Sequence, residues 1–206
     1  MYLSCYNLDL RSLAVQKAMR NNYEMHRTVM SAFEFIQEEA PRQKMGVLFR
    51  IVNLGKVCKL YVSSLEKPIK KMPAGFNEVA GSPKDISGVL DSLTEGSIFC
   101  FDFKVMPAKK VRVPEGKNSK RIYLGKAADR EEWLLKKAEQ SGFKLLSFTE
   151  ENQAENRIKH GGYKSIVFKG TLQITDKAKF VNAYKYGIGA EKAFGCGMLL
   201  LSRTPS

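Results

Sequence analysis

Tyr186-Gly187-Ile188-Gly189-Ala190-Glu191-Lys192-Ala193-Phe194-Gly195-Cys196-Gly197-Met198-Leu199-Leu200-Leu201 decides the fold. Four glycines within eleven residues precede an apolar run, which reads as a helix end, a glycine loop and a final buried strand. Glycine reaches backbone angles closed to other residues and lets backbone or ligand approach closely. Two readings stand side by side: a tight helix-to-strand connection, or a loop whose N–H groups face phosphates. The glycine spacing fits neither a P-loop nor Gly-x-Gly-x-x-Gly.

Upstream of this block, Asp176 caps a helix that turns Phe180, Val181 and Tyr184 inward. Ser165–Ile174 is a strand returning from Lys144–Phe148, with a basic hairpin tip, Asn156–Lys164, centred on Gly161-Gly162. Asp129 and Glu132 form a capping-box-like start to a helix that Gly142 ends. The 97–113 region can supply the strand this half still needs. Phe99, Phe101 and Phe103 alternate on it, and such a stripe belongs in a core rather than under stacked bases.

The first half has the same grammar. Residues 2–9 read as a strand, and Met25, Val29, Met30, Phe33 and Ile36 mark one helix face that Pro41 ends. Strands Met45–Val52 and Val57–Ser63 meet around Asn53-Leu54-Gly55. Residues 66–83 read as loop, and Ser82 and Pro83 as the cap and first turn of a helix through Leu93. The strand at 98–103 then completes β-α-β-β-α-β. The fold class is therefore α+β: two tandem ferredoxin-like (RRM-like) domains, 1–94 with the Tyr/His pair and 95–206 with the basic hairpin and glycine loop.

The 206 residues carry 34 Lys and Arg against 21 Asp and Glu, a formal charge of +13. That excess favours a polyanion, most simply nucleic acid. It is concentrated: residues 104–126 hold Lys104, Lys109, Lys110, Arg112, Lys117, Lys120, Arg121 and Lys126 against Glu115 alone. No segment reads as a signal peptide or a membrane span. Cys5, Cys58, Cys100 and Cys196 are scattered singly, so free thiols in a reducing cytoplasm are expected, with no zinc site and no cofactor.

Two histidines are candidates for chemistry. His26 follows Tyr23 by three residues, so both share a helix face, and Arg27 adds a cation. A lone histidine here can equally be a cap, a surface group or a satisfied core residue. Cleavage of RNA by its own 2′-hydroxyl needs a base, an acid and a donor for the growing phosphate charge. His160 lies in the run Arg157, Lys159, His160, Lys164, which is either a solvated tip or a finger against phosphates. Lys192, within the glycine block, is a candidate phosphate contact.

Gly187-Ile188-Gly189, Lys192 and Gly195-Cys196-Gly197-Met198-Leu199 resemble the C-terminal signature of CRISPR repeat-RNA endoribonucleases of the CasE branch. Met1-Tyr2-Leu3-Ser4 and Tyr23-Glu24-Met25-His26 are similar to the same branch. The resemblance implies the duplicated ferredoxin-like architecture, with Tyr23 and His26 as the catalytic pair. It implies metal-independent cleavage of CRISPR precursor RNA at the repeat stem-loop, leaving a 2′,3′-cyclic phosphate and a 5′-hydroxyl. It further implies a basic hairpin gripping the stem and retention of the guide RNA within a multi-subunit Cascade complex. The expected RNA contacts are Arg27, Lys109, Lys110, Arg112, Lys120, Arg121, Arg157, Lys159, His160, Lys164 and Lys192, with Gly187, Gly189, Gly195 and Gly197. A non-catalytic RRM-like or ribosomal RNA-binding protein would share the fold and charge without calling for the Tyr/His pair.

Overall fold

A computed structural model describes residues 1–34, 40–112, 120–158 and 161–204, with the side chains of 152–162 outside the description. The first unit runs β1 (Tyr2–Leu8), α1 (Leu13–Met19), α2 (Asn22–Met30), α3 (Pro41–Lys44), β2 (Leu48–Asn53), β3 (Cys58–Ser64), β4 (Phe76–Glu78) and β5 (Lys84–Asp85). After α4 (Ser87–Asp91) come β6 (Ile98–Val105), β7 (Ala108–Val111), β8 (Lys120–Tyr123), α5 (Ala127–Gln140), β9 (Phe143–Ile158), β10 (Gly161–Ile174), α6 (Lys177–Tyr186), a 3-10 turn (Lys192–Phe194) and β11 (Leu199–Arg203).

The main sheets run β2-β3-β1-β4 and β11-β6-β10-β9, all antiparallel. Each places its first strand between its third and fourth, with the second outside the third. That is the ferredoxin-like order, so the tandem architecture holds. Two cores follow from it. Tyr6, Val15, Met25, Val29, Phe33, Phe49, Leu60 and Val62 fill the first. Phe101, Phe103, Leu134, Phe168, Leu172 and Phe180 fill the second, so the Phe99/Phe101/Phe103 face is core.

Several elements differ from the sequence reading. The strand at 98–105 pairs with β10 and β11, so it belongs to the second sheet alone. The first sheet is completed instead by β4, inside the stretch read as loop, where a three-residue strand is too short to show alternation. Ser82 caps no helix. Its hydroxyl accepts the Cys5 N–H at 2.7 Å, and the chain after it pairs as β5 with β1. The helix starts only at Ser87, and its Leu90 together with Leu93 packs into the second core. We propose the division near residue 94, with α4 as the connecting helix.

The helix expected up to Pro41 ends at Met30, and Ile36 lies outside the described residues. Asp129 sits within the first turn of α5 rather than at its cap, which is Lys126. Asp176 does cap α6, accepting the Lys179 N–H at 2.9 Å. The basic connection is itself partly a ribbon, with Lys110 opposite Arg121. The hairpin strands extend to Ile158 and Gly161, so Gly161-Gly162 open the returning strand rather than form its tip. No described helix is long and apolar enough to cross a membrane, and all four cysteines are free.

Candidate active site

Helix α2 carries the Tyr/His pair, and its start is fixed locally: Asn21 accepts the Glu24 N–H at 2.9 Å. Met25 and Val29 are 1 % exposed and lock one face into the first core. Tyr23, His26, Arg27 and Met30, at helical spacing, then fall along an adjoining face. They line a pocket of about 690 Å³ together with Phe33, Glu34, Arg42, Lys70 and Ala193. Tyr23 is exposed and His26 is half-buried.

The opposite wall comes from the glycine block. Phe194 meets the His26 ring edge-on, with centroids 6.4 Å apart. Its position is held by Tyr163 of β10, whose hydroxyl donates to the Phe194 carbonyl at 2.7 Å and accepts from the Asn22 amide at 2.7 Å. The Tyr163 and Phe194 rings also stack at 6.3 Å. One buried phenol thus ties the second sheet, the 3-10 turn and the base of α2 together. Tyr163 and Phe194 were missed by the sequence reading, since a tyrosine beside a basic tip carries no mark of what it will reach.

Burial lowers the His26 pKa below the usual imidazole value, and the Arg42 guanidinium lowers it further. The imidazole is therefore neutral at pH 7, competent to accept a proton. Arg42 was also missed, because Pro41-Arg42 reads only as a helix stop. It lines the His26 pocket and a second, open groove of about 1150 Å³, with Lys44, Arg121, Tyr186, Gly189 and Lys192. Burial lowers the pKa values of Arg42 and Lys192, as expected for cations drawn together out of water.

The glycines divide. Gly187, Gly189, Gly195 and Gly197 all have positive φ. A Cβ on Gly187 would stand 2.9 Å from Leu48, on Gly195 2.9 Å from Phe49, and on Gly197 2.8 Å from the Ile188 carbonyl. Their space is filled by the protein's own atoms, which supports the tight-turn reading at these three. Gly189, beside Trp133, lines the open groove. The Ile188 N–H donates to the Gly197 carbonyl, and the Gly197 N–H to the Lys104 carbonyl, pinning the loop to β6.

Of the other expected contacts, Arg27 lines the His26 pocket and pairs with Glu24 at 3.5 Å. Lys109, Lys110, Arg112 and Lys120 are exposed on or beside the β7–β8 ribbon and line neither pocket. Lys164 is exposed on β10. Lys159, His160 and the Arg157 side chain lie outside the described residues. Burial pushes the Cys196 thiol up to about 11, so it is no nucleophile. Among the described residues no cluster of His, Cys, Asp or Glu could hold a metal ion.

The family described as CRISPR associated protein matches residues 1–203. The chain belongs to that family. A curated relative, the CRISPR-associated endoribonuclease Cse3 of Thermus thermophilus, is 26 % identical, covering 97 % of this chain and 98 % of its own length. A solved structure of Thermus thermophilus Cse3, bound to an RNA representing a pre-cleavage complex, superposes with a TM-score of 0.80 at 22 % identity over 98 % of both chains. A chain of a CRISPR RNA-guided surveillance complex superposes with a TM-score of 0.69 at 24 % identity, over 99 % of this chain and all of that one. These structures share the fold of the family member described here.

Proposed function

We propose that this protein is a metal-independent endoribonuclease that cuts CRISPR precursor RNA at the repeat stem-loop. It then keeps the mature guide RNA as a subunit of a Cascade-type complex. The observation that carries this reading is the pocket in which Tyr23, a neutral His26 and a guanidinium converge. It lies in a chain similar over its whole length to a named endoribonuclease.

The chemistry requires nothing else. The 2′-hydroxyl gives up its proton and attacks the neighbouring phosphorus. The bond to the 5′ oxygen breaks, and that oxygen is protonated. His26 handles one of these transfers, and Tyr23 donates a hydrogen bond to it or to the phosphate. The products are a 2′,3′-cyclic phosphate and a 5′-hydroxyl. The groove past Gly189, with Arg121 and Lys192, receives the flanking strand through its phosphates, and the basic hairpin of β9 and β10 grips the stem.

The test is a repeat hairpin RNA incubated with the protein in EDTA. Cleavage with a cyclic-phosphate end is expected. His26→Ala should lose about 10²–10⁴ in rate while still binding RNA, and Tyr23→Phe should lose less. An RNA with 2′-deoxy at the cut should bind and survive. A strict need for magnesium, or cutting of the deoxy substrate, would overturn the mechanism. Tight binding without any cleavage would favour the non-catalytic RNA-binding reading.

A further inference from the structure

The proposed reaction needs a cation at the phosphate, and the obvious neighbour is poorly suited. Arg27 is 63 % exposed at its side chain and already faces Glu24. Solvent screens such a charge, and a partner carboxylate cancels much of it. Arg42 stands in the opposite situation. Burial lowers its pKa, and among the described residues no carboxylate raises it back. Glu34 lines the same pocket, yet among the described residues no ion pair joins any acid to Arg42. One guanidinium nitrogen donates to the Val47 carbonyl at 2.9 Å, which aims the fork. A half-buried cation without a counter-ion costs free energy that a bound anion would return.

The backbone delivering Arg42 is also unusual. Ala40, which precedes α3, has φ 56° and ψ 53°. A left-handed alanine is held only where its surroundings over-determine it, and such residues cluster at functional sites. Arg42 is moreover shared: it lines both the His26 pocket and the basic groove with Lys44, Arg121 and Lys192. Ala40, Gln43 and Ala193 are shared in the same way, and Arg42 is the one charged side chain among these four residues.

Resting on the endoribonuclease reading above, we propose that Arg42 is the catalytic cation. Its guanidinium grips the non-bridging oxygens of the scissile phosphate and offsets the second negative charge they gain as the 2′ oxygen–phosphorus bond forms. The proton of the 2′-hydroxyl leaves to a base, the phosphorus–5′ oxygen bond breaks, and the departing oxygen takes a proton. The cyclic phosphate keeps one negative charge, so Arg42 is bound most strongly at the transition state. A planar fork matches two phosphate oxygens, which an ammonium cannot do.

The test compares wild type with Arg42→Gln, Arg42→Lys and, as a control remote from both pockets, Arg11→Gln, whose side chain is 95 % exposed. Single-turnover cleavage, affinity for a 2′-deoxy hairpin, melting temperature and the pH–rate profile are read for each. R42Q should cleave about 10²–10³-fold more slowly and bind the deoxy hairpin within about tenfold of wild type. Its histidine limb should move to higher pH, because the guanidinium no longer opposes the imidazolium. R42K should fall between, with the limb unmoved, and R11Q should match wild type. R42Q at the wild-type rate, R42Q losing affinity as much as rate, or R42K as slow as R42Q would each overturn the assignment. Should R42Q fail to fold, R42K decides: about tenfold slowing supports the fork, and the wild-type rate overturns it. If wild type itself does not cut, the endoribonuclease reading falls and this inference with it. If wild type cuts in EDTA and R42Q cuts as fast, only this inference falls.

Discussion

Tyr163→Phe removes one oxygen from the point where both units and the His26 wall meet. The phenol is 7 % exposed. It gives one hydrogen bond to the Phe194 carbonyl and takes one from Asn22, each 2.7 Å long. At about 0.5–1.5 kcal/mol per bond the loss comes to about 1–3 kcal/mol. For a chain of 206 residues, 1 kcal/mol moves the melting temperature by about 2–4 °C, so melting should fall by about 2–12 °C. Because Phe194 packs edge-on to His26, the rate should suffer as well, by about tenfold, while RNA affinity changes little. Thermal melts and single-turnover cleavage of a repeat hairpin measure both effects. Asn22→Ala, which removes only the bond from Asn22, should cost less, and the two changes should combine non-additively. A Tyr163→Phe protein that melts and cuts like wild type would show that the phenol fills space and positions nothing.

Gly197→Ala should lower melting by several degrees with activity per folded molecule retained, because its Cβ would stand 2.8 Å from the Ile188 carbonyl at φ 85°. Normal melting with poor RNA binding would instead restore the phosphate-facing reading of that glycine. Reversing Arg121 and Lys192 to Glu should weaken hairpin binding and flatten the log–log salt slope by about 1.4–1.8, the share of two phosphate contacts; an unchanged slope removes the groove from the RNA path. The histidine limb of the wild-type pH–rate profile should lie below about 6.5, since burial and Arg42 both disfavour imidazolium. The same shift makes the unfolded chain bind a proton that the native state refuses. Stability should therefore decline as pH falls through the unfolded histidine value toward the lower folded one, and this part of the decline should vanish in His26→Ala.

The sequence by itself determined the fold class and pointed to two stretches that line the candidate site. Periodicity is local, so β1, the β2–β3 hairpin, the Asp176 cap and the Phe99/Phe101/Phe103 core face could be read from neighbours in the chain. Glycine signals are local too, and the positive φ at Gly187, Gly189, Gly195 and Gly197 follows from them. What the sequence could not decide was pairing between distant segments. It gave no sign that Phe76–Glu78 would close the first sheet, or that Leu90 would join the second core, because three residues carry no period and a leucine does not name its partner. The site shows the same limit. Tyr23 and His26 lie three apart on one helix and were legible. Arg42 reaches the same place from α3 of the same unit, whereas Phe194 and Tyr163 come from the 3-10 turn and β10 of the second, so only tertiary packing brings all three to one imidazole's surroundings. Burial then tunes the imidazole and leaves a guanidinium that no acid pairs with among the described residues, and burial is a property of the assembled fold.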